Sequence, residues 1–148
     1  MEKYKFPNVK IMLIKEGEIE FSASDISDPE SAAIIFDNLK TEAVEVLEIL
    51  CLNTKNVPIS KSVIGRGGLN SGGVKPCEIF RTALLSNAAK IIIAHNHPSG
   101  NTTPSTNDIA VTKELVKAGK IIGVPVIDHI IIGGITGEFV SLKRLGHI

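Results

Sequence analysis

His95-Asn96-His97-Pro98-Ser99-Gly100-Asn101-Thr102-Thr103-Pro104-Ser105-Thr106-Asn107-Asp108 follows directly on the apolar run Ile91-Ile92-Ile93-Ala94. Four consecutive apolar, mostly β-branched residues predict a buried strand over residues 90–94. Side chains two apart on a strand share a face, so His95 and His97 can aim at one point. Ten residues rich in Pro, Ser, Asn and Thr then carry the chain to Asp108. From Ser105 a helix is predicted to run to about Ile122, with Val111, Leu115, Ala118 and Ile122 as its apolar stripe. Asp108 lies three before Val111 and seven before Leu115, on the core-facing side, where a carboxylate needs a partner. Ser105-Thr106-Asn107-Asp108 also fits the S-x-x-D capping box, so Asp108 can serve the helix end and a site at once. Capping alone does not account for His95 and His97. Two imidazoles and a carboxylate are a metal-ligand set, and three protein ligands leave a fourth position for water, as in catalytic zinc sites.

Outward from this stretch the chain alternates strand and helix. Residues 9–14 are mostly apolar and residues 18–21 alternate, with Glu16-Gly17 between them, which predicts a hairpin. Asp28-Pro29 opens a helix whose apolar face is Ala32, Ile35, Phe36 and Leu39. Residues 44–52 predict a central strand, residues 53–56 a polar turn, and residues 57–64 its hairpin partner. Five glycines fall within residues 65–73, without the spacing of a phosphate or dinucleotide loop, which predicts a mobile surface loop. Pro76 opens a helix with Cys77, Phe80 and Leu84 on one side. Residues 124–132 and 138–142 predict the last strands, with a turn at residues 133–137. This order implies a layered α/β or α+β fold.

The 148 residues suit one domain with its own core, residues 1–8 being a candidate flexible tail. Sixteen basic residues balance sixteen acidic ones, so the electrostatic footprint of a dedicated nucleic-acid binder is missing. No apolar run is long enough to span a bilayer, and no signal peptide is apparent. Two cysteines, Cys51 and Cys77, read as buried free thiols in a reducing cytosol, and a cytoplasmic location is expected. His129, amid Val126, Ile127, Ile130 and Ile131, reads as a hydrogen-bonded core histidine or a support behind a ligand.

The run from His95 reads H-x-H-P-x6-S-x2-D, which resembles the signature of JAMM-type (MPN/JAB-like) metallopeptidases. The wider chain is similar to the RadC-like branch of that superfamily. Lys75-Pro76-Cys77-Glu78-Ile79-Phe80-Arg81, Asn87-Ala88-Ala89, residues 94–100, Pro104-Ser105, Val126-Ile127-Asp128-His129-Ile130 and Phe139-Val140-Ser141 carry the resemblance. It implies a mixed sheet flanked by helices, like the cytidine deaminase fold. It implies Zn2+ at His95, His97 and Asp108, with Ser105 stabilising the oxyanion in hydrolysis of an amide bond, peptide or isopeptide, in a peptide or protein substrate. The superfamily's general acid/base is a glutamate on an earlier strand. Glu45 matches it best, with Glu48 and Glu42 as rivals. Glu45 shares a strand face with Leu47, Ile49 and Cys51, and Glu48 shares the other with Val46, Leu50 and Leu52. A central strand can be buried on both faces, so periodicity leaves the choice open. The H-x-E of zinc deaminases is missing, and Phe80 stands where their second cysteine would follow Pro76-Cys77. The alternative function is a non-catalytic binding or scaffold module in DNA repair or recombination. The helix-hairpin-helix extension that many RadC-like proteins carry has no counterpart here, which weighs against direct DNA contact.

Overall fold

The computed structural model describes residues 3–22, 25–67 and 74–148. A five-stranded mixed sheet in the order β2-β1-β3-β4-β5 forms the middle layer. Its strands are β1 (Val46–Leu52), β2 (Pro58–Arg66), β3 (Lys90–His97), β4 (Val126–Gly133) and β5 (Phe139–Ser141). β1 pairs antiparallel with both β2 and β3, β3 runs parallel to β4, and β5 closes antiparallel on β4. The parallel pair requires a crossover, and α3 (Thr106–Ile122) supplies it.

Helices cover both faces. On one side α2 (Pro76–Leu85) and α3 bury Ile79, Phe80, Ala83 and Leu115 against Leu47, Ile49, Cys51, Ile91 and Ile93. On the other, α1 (Pro29–Ile35) and a following 3-10 turn (Asp37–Thr41) bury Ala32, Ile35, Phe36 and Leu39 against Val46, Leu50, Leu52, Ile92 and Ala94. A strand sandwiched this way must be apolar on both faces, which is why every residue of β1 is buried, Glu48 included. Asp28 caps α1 through the Ser31 N–H, with Pro29 at the first helical position, as its sequence predicts.

Several sequence-based expectations are corrected. The hairpin expected over residues 9–21 does not form. Residues 3–22 hold no helix or strand and are exposed almost throughout, with Phe21 packed against the α1-side core and the rest of the segment left in water. In α2, Cys77 and Leu84 are exposed, and the buried face is Ile79, Phe80 and Ala83. That rotation sets Phe80 over Gly119 of α3, where a Cβ would lie 3.2 Å from the ring. In α3 the buried row is Asp108, Thr112, Leu115 and Gly119, one position round from the predicted stripe. Cys77 is therefore not the buried thiol expected, whereas Cys51 is buried, and burial pushes its thiol pKa up. Residues 68–73 of the glycine-rich run lie outside the described residues. No helix among the described residues is long and apolar enough to cross a membrane.

Candidate metal centre

β3 runs past its predicted end and carries both histidines. Ile91, Ile93 and His95 face α2 and α3, while Ile92, Ala94 and Asn96 face α1, the alternation a pleated strand imposes. α3 begins beside the end of β3, and its capping box is complete: Ser105 Oγ accepts from the Asp108 N–H at 3.0 Å, and Asp108 Oδ2 accepts from the Ser105 N–H at 2.7 Å. Asp108 is 4% exposed, so the inward placement inferred from helix register holds.

The three side chains converge. His95 Nε2 lies 3.1 Å from His97 Nε2 and 3.4 Å from Asp108 Oδ1, and His97 Nε2 lies 3.3 Å from Asp108 Oδ2. His97 Nδ1 lies 2.7 Å from the Asn101 carbonyl, which can only accept, so Nδ1 carries the proton. The His97 Nε2 lone pair is thereby left facing His95 and Asp108. Nitrogen ligands bonded tetrahedrally at about 2.0–2.1 Å sit roughly 3.3 Å apart. The observed spacings match, so the donor set and its geometry fit a metal ion. Burial opposes the charge on Asp108, but His95 and His97, which donate to it from Nε2 only when protonated, and the Ser105 N–H outweigh burial and hold the carboxyl well below its ordinary range. A second proton, on His97 Nε2, would be donated to Asp108, which is the main cause of the raised His97 pKa, opposed by partial burial and aided by Asn101 and Glu45.

The three candidate glutamates are separated by their surroundings. Glu45 and His95 line one cleft, with Leu47, Gly65, Arg66 and Val74. This follows from register: Leu47 pairs with His95, and Glu45 is two residues earlier on the same side. Glu48 pairs with Ala94 and turns to the α1 face, where it meets Lys61 Nζ at 3.0 Å and Asn38 Nδ2 at 2.9 Å. Glu42 is bound by Arg66 through two contacts of 2.7 and 3.1 Å, which lower its pKa.

Of the other residues that build the site, Asn96 and Gly134 are not singled out by the sequence, whereas His129 is read there as a core histidine or a support behind a ligand. Asn96, between the histidines, points to the opposite face and is fully buried. Its Oδ1 accepts from the Val46 N–H at 2.7 Å and its Nδ2 donates to the Val44 carbonyl at 3.0 Å, fastening the segment that bears Glu45. Gly134 donates its N–H to the His97 carbonyl at 2.8 Å, and a Cβ there would lie 2.7 Å from the Pro98 carbonyl oxygen. The Gly133-Gly134 pair was the available signal: it marks a close backbone approach as well as a turn. His129 is fully buried behind His95, Nε2 to Nδ1, at 2.8 Å, and its Nδ1 lies 2.6 Å from Thr112 Oγ1. Burial drives its pKa well below the ordinary value, so it is neutral.

The family model for the RadC-like JAB domain matches residues 26–147. A UPF0758 protein of Clostridium perfringens is 48% identical over 126 residues, covering 84% of this chain and 55% of that protein. A UPF0758 protein of Bacillus cereus is 49% identical over 124 residues, covering 83% and 54%. A third, from the archaeon Methanococcoides burtonii, is 51% identical over 104 residues, covering 70% and 44%. The chain thus spans about half the length of these curated relatives. Sheet, ligand cluster and sequence agree, and the chain belongs to the RadC-like JAB domain family.

Proposed function

We propose that this chain is a zinc-dependent hydrolase of the JAMM type that uses water to cleave an amide bond, peptide or isopeptide, in a peptide or protein substrate. The observation that carries the reading is the convergence of His95, His97 and Asp108, whose ligand atoms lie within 4.8 Å of one another, beside a cleft that also holds Glu45. His95, His97 and Asp108 would hold the zinc. When bound, the ion supplies Lewis-acid chemistry, acidifying a water and polarising the scissile carbonyl. Glu45 takes the proton the attacking water loses and returns it to the leaving amine nitrogen. Its position on the His95 side of the sheet supports that role. Glu48 and Glu42 already serve Lys61 and Arg66, which argues against either as the shuttle. The Ser105 hydroxyl accepts from the Asp108 N–H and keeps its own proton to donate to the oxyanion.

The test combines metal analysis with one substitution. Purified chain should bind about one zinc, as a three-ligand site with one open position does. Glu45→Gln should lower hydrolysis of a peptide or isopeptide substrate by roughly 10²–10⁴-fold, with zinc content unchanged. Purified chain that takes up no zinc, or a Glu45→Gln variant with full activity, would overturn the reading.

A further inference from the structure

We propose that Thr112 and His129 are positioning residues for the candidate metal centre: through one directed hydrogen-bond chain they set the tautomer of His95 and turn its Nε2 lone pair towards His97 and Asp108. This rests on the metal-centre reading above and adds to it residues that touch no ligand position themselves.

The chain of protons follows from its fixed end. Thr112 Oγ1 lies 2.6 Å from the Asp108 carbonyl oxygen, which has no proton, so the hydroxyl donates there. A hydroxyl has a single proton, so Thr112 can only accept from His129 Nδ1, 2.6 Å away. His129 is 0% exposed, where water cannot solvate a second, charging proton, so with its one proton on Nδ1 it offers a lone pair at Nε2. That lone pair faces His95 Nδ1 at 2.8 Å, so His95 Nδ1 donates and its own lone pair is left on Nε2. Nε2 is the atom that lies 3.1 Å from His97 and 3.4 Å from Asp108. Asn101 imposes the same tautomer on His97 from the other side. Both imidazoles therefore present lone pairs inwards without reorganisation. Thr112, His129 and His95 are each 0–1% exposed, so water does not compete for these bonds. The same chain ties β3, β4 and α3 together, for it starts on the backbone of Asp108 and ends on His95.

Thr112→Val keeps the shape and removes the hydroxyl, while Thr112→Ser keeps the hydroxyl. Long-range proton–nitrogen correlation spectra of the imidazoles, in metal-free protein at mildly alkaline pH, should show wild-type His95 as the single Nδ1–H tautomer. Thr112→Val should give a mixture and weaken zinc binding roughly 10–100-fold, as loss of a partner behind a ligand does. Thr112→Ser should restore both. A wild-type His95 protonated on Nε2 overturns the proposal, and that spectrum needs no substitution, so it decides even if Thr112→Val fails to fold. A folded Thr112→Val with wild-type tautomer and zinc affinity overturns it equally. If wild-type protein binds no zinc yet the tautomers respond as stated, the metal reading fails and the hydrogen-bond chain stands.

Discussion

Replacing Glu48 by alanine tests whether this glutamate belongs to the fold and not to the site. Its side chain is 4% exposed and its Oε2 lies 3.0 Å from Lys61 Nζ, itself on a side chain 13% exposed. Removing one partner of a buried ion pair costs about 3–5 kcal/mol, because the other charge is left without its counter-charge. Lys61 would keep the Ile35 carbonyl at 3.1 Å and Asn38 Oδ1 at 2.6 Å, which favours the lower end of that range. For a domain of this size about 3 kcal/mol corresponds to roughly 6–12 °C in Tm. Urea unfolding of the metal-free protein is the suitable assay, since bound metal would add its own stabilisation. Joint replacement of Glu48 and Lys61 by methionine should recover most of the loss. If Glu48→Ala unfolds within about 1 kcal/mol of wild type while zinc affinity drops, Glu48 serves the site and the separation of the two sheet faces is wrong.

The pH dependence of metal-free stability has two limbs of opposite origin. His129 has its pKa pushed by burial well below 6.5, so below that pH the unfolded chain binds a proton the native state refuses. Stability should fall on the acid side by up to about 1.4 kcal/mol per pH unit, and His129→Leu should flatten that limb. His97 works the other way. Its pKa is raised by Asp108, so its contribution is present below 6.5 and lost as pH rises through the raised value. Unfolding curves from pH 4.5 to 8 check both limbs. Gly119→Ala should destabilise by about 1–3 kcal/mol. The added Cβ would sit 2.6 Å from the Val124 carbonyl oxygen, backbone that cannot swing aside. A variant with wild-type Tm would show that α3 does not pack on that chain as described.

Much of the site was legible because its spacing is short-range. Strand periodicity puts His95 and His97 on one face whatever surrounds them. A capping box puts Asp108 in the first turn, and helix register turns it inwards. The elements between residues 28 and 142 were legible for the same reason, to within a few residues at their ends. Long-range packing was not. The apolar pattern of residues 9–21 predicts strands, but a strand also needs a partner edge, and none is engaged there. The predicted faces of α2 and α3 were rotated because the contact between the helices, Phe80 over Gly119, chooses among rows of similar apolarity.

The amino-acid order by itself determined that two histidines and an acid that could hold a metal meet at the end of a buried strand, since periods of two and 3.6 residues are local properties of the chain. Two matters waited for the tertiary structure. One is which glutamate shares the cleft with His95: Glu45, just before β1, and Glu48, on it, turn to opposite sides, and only the pairing of Leu47 with His95 shows which side holds the candidate ligands. The other is the direction of His129. An irregularity in the β3–β4 pairing, where Ile91 opposes Val126 but Ile92 opposes Asp128, inserts one residue and reverses the alternation beyond it. Val126 faces α2 and α3, and unbroken alternation would have turned His129 away from the site. The bulge turns it towards His95, because strand direction is set by hydrogen bonds to a neighbour far away in sequence.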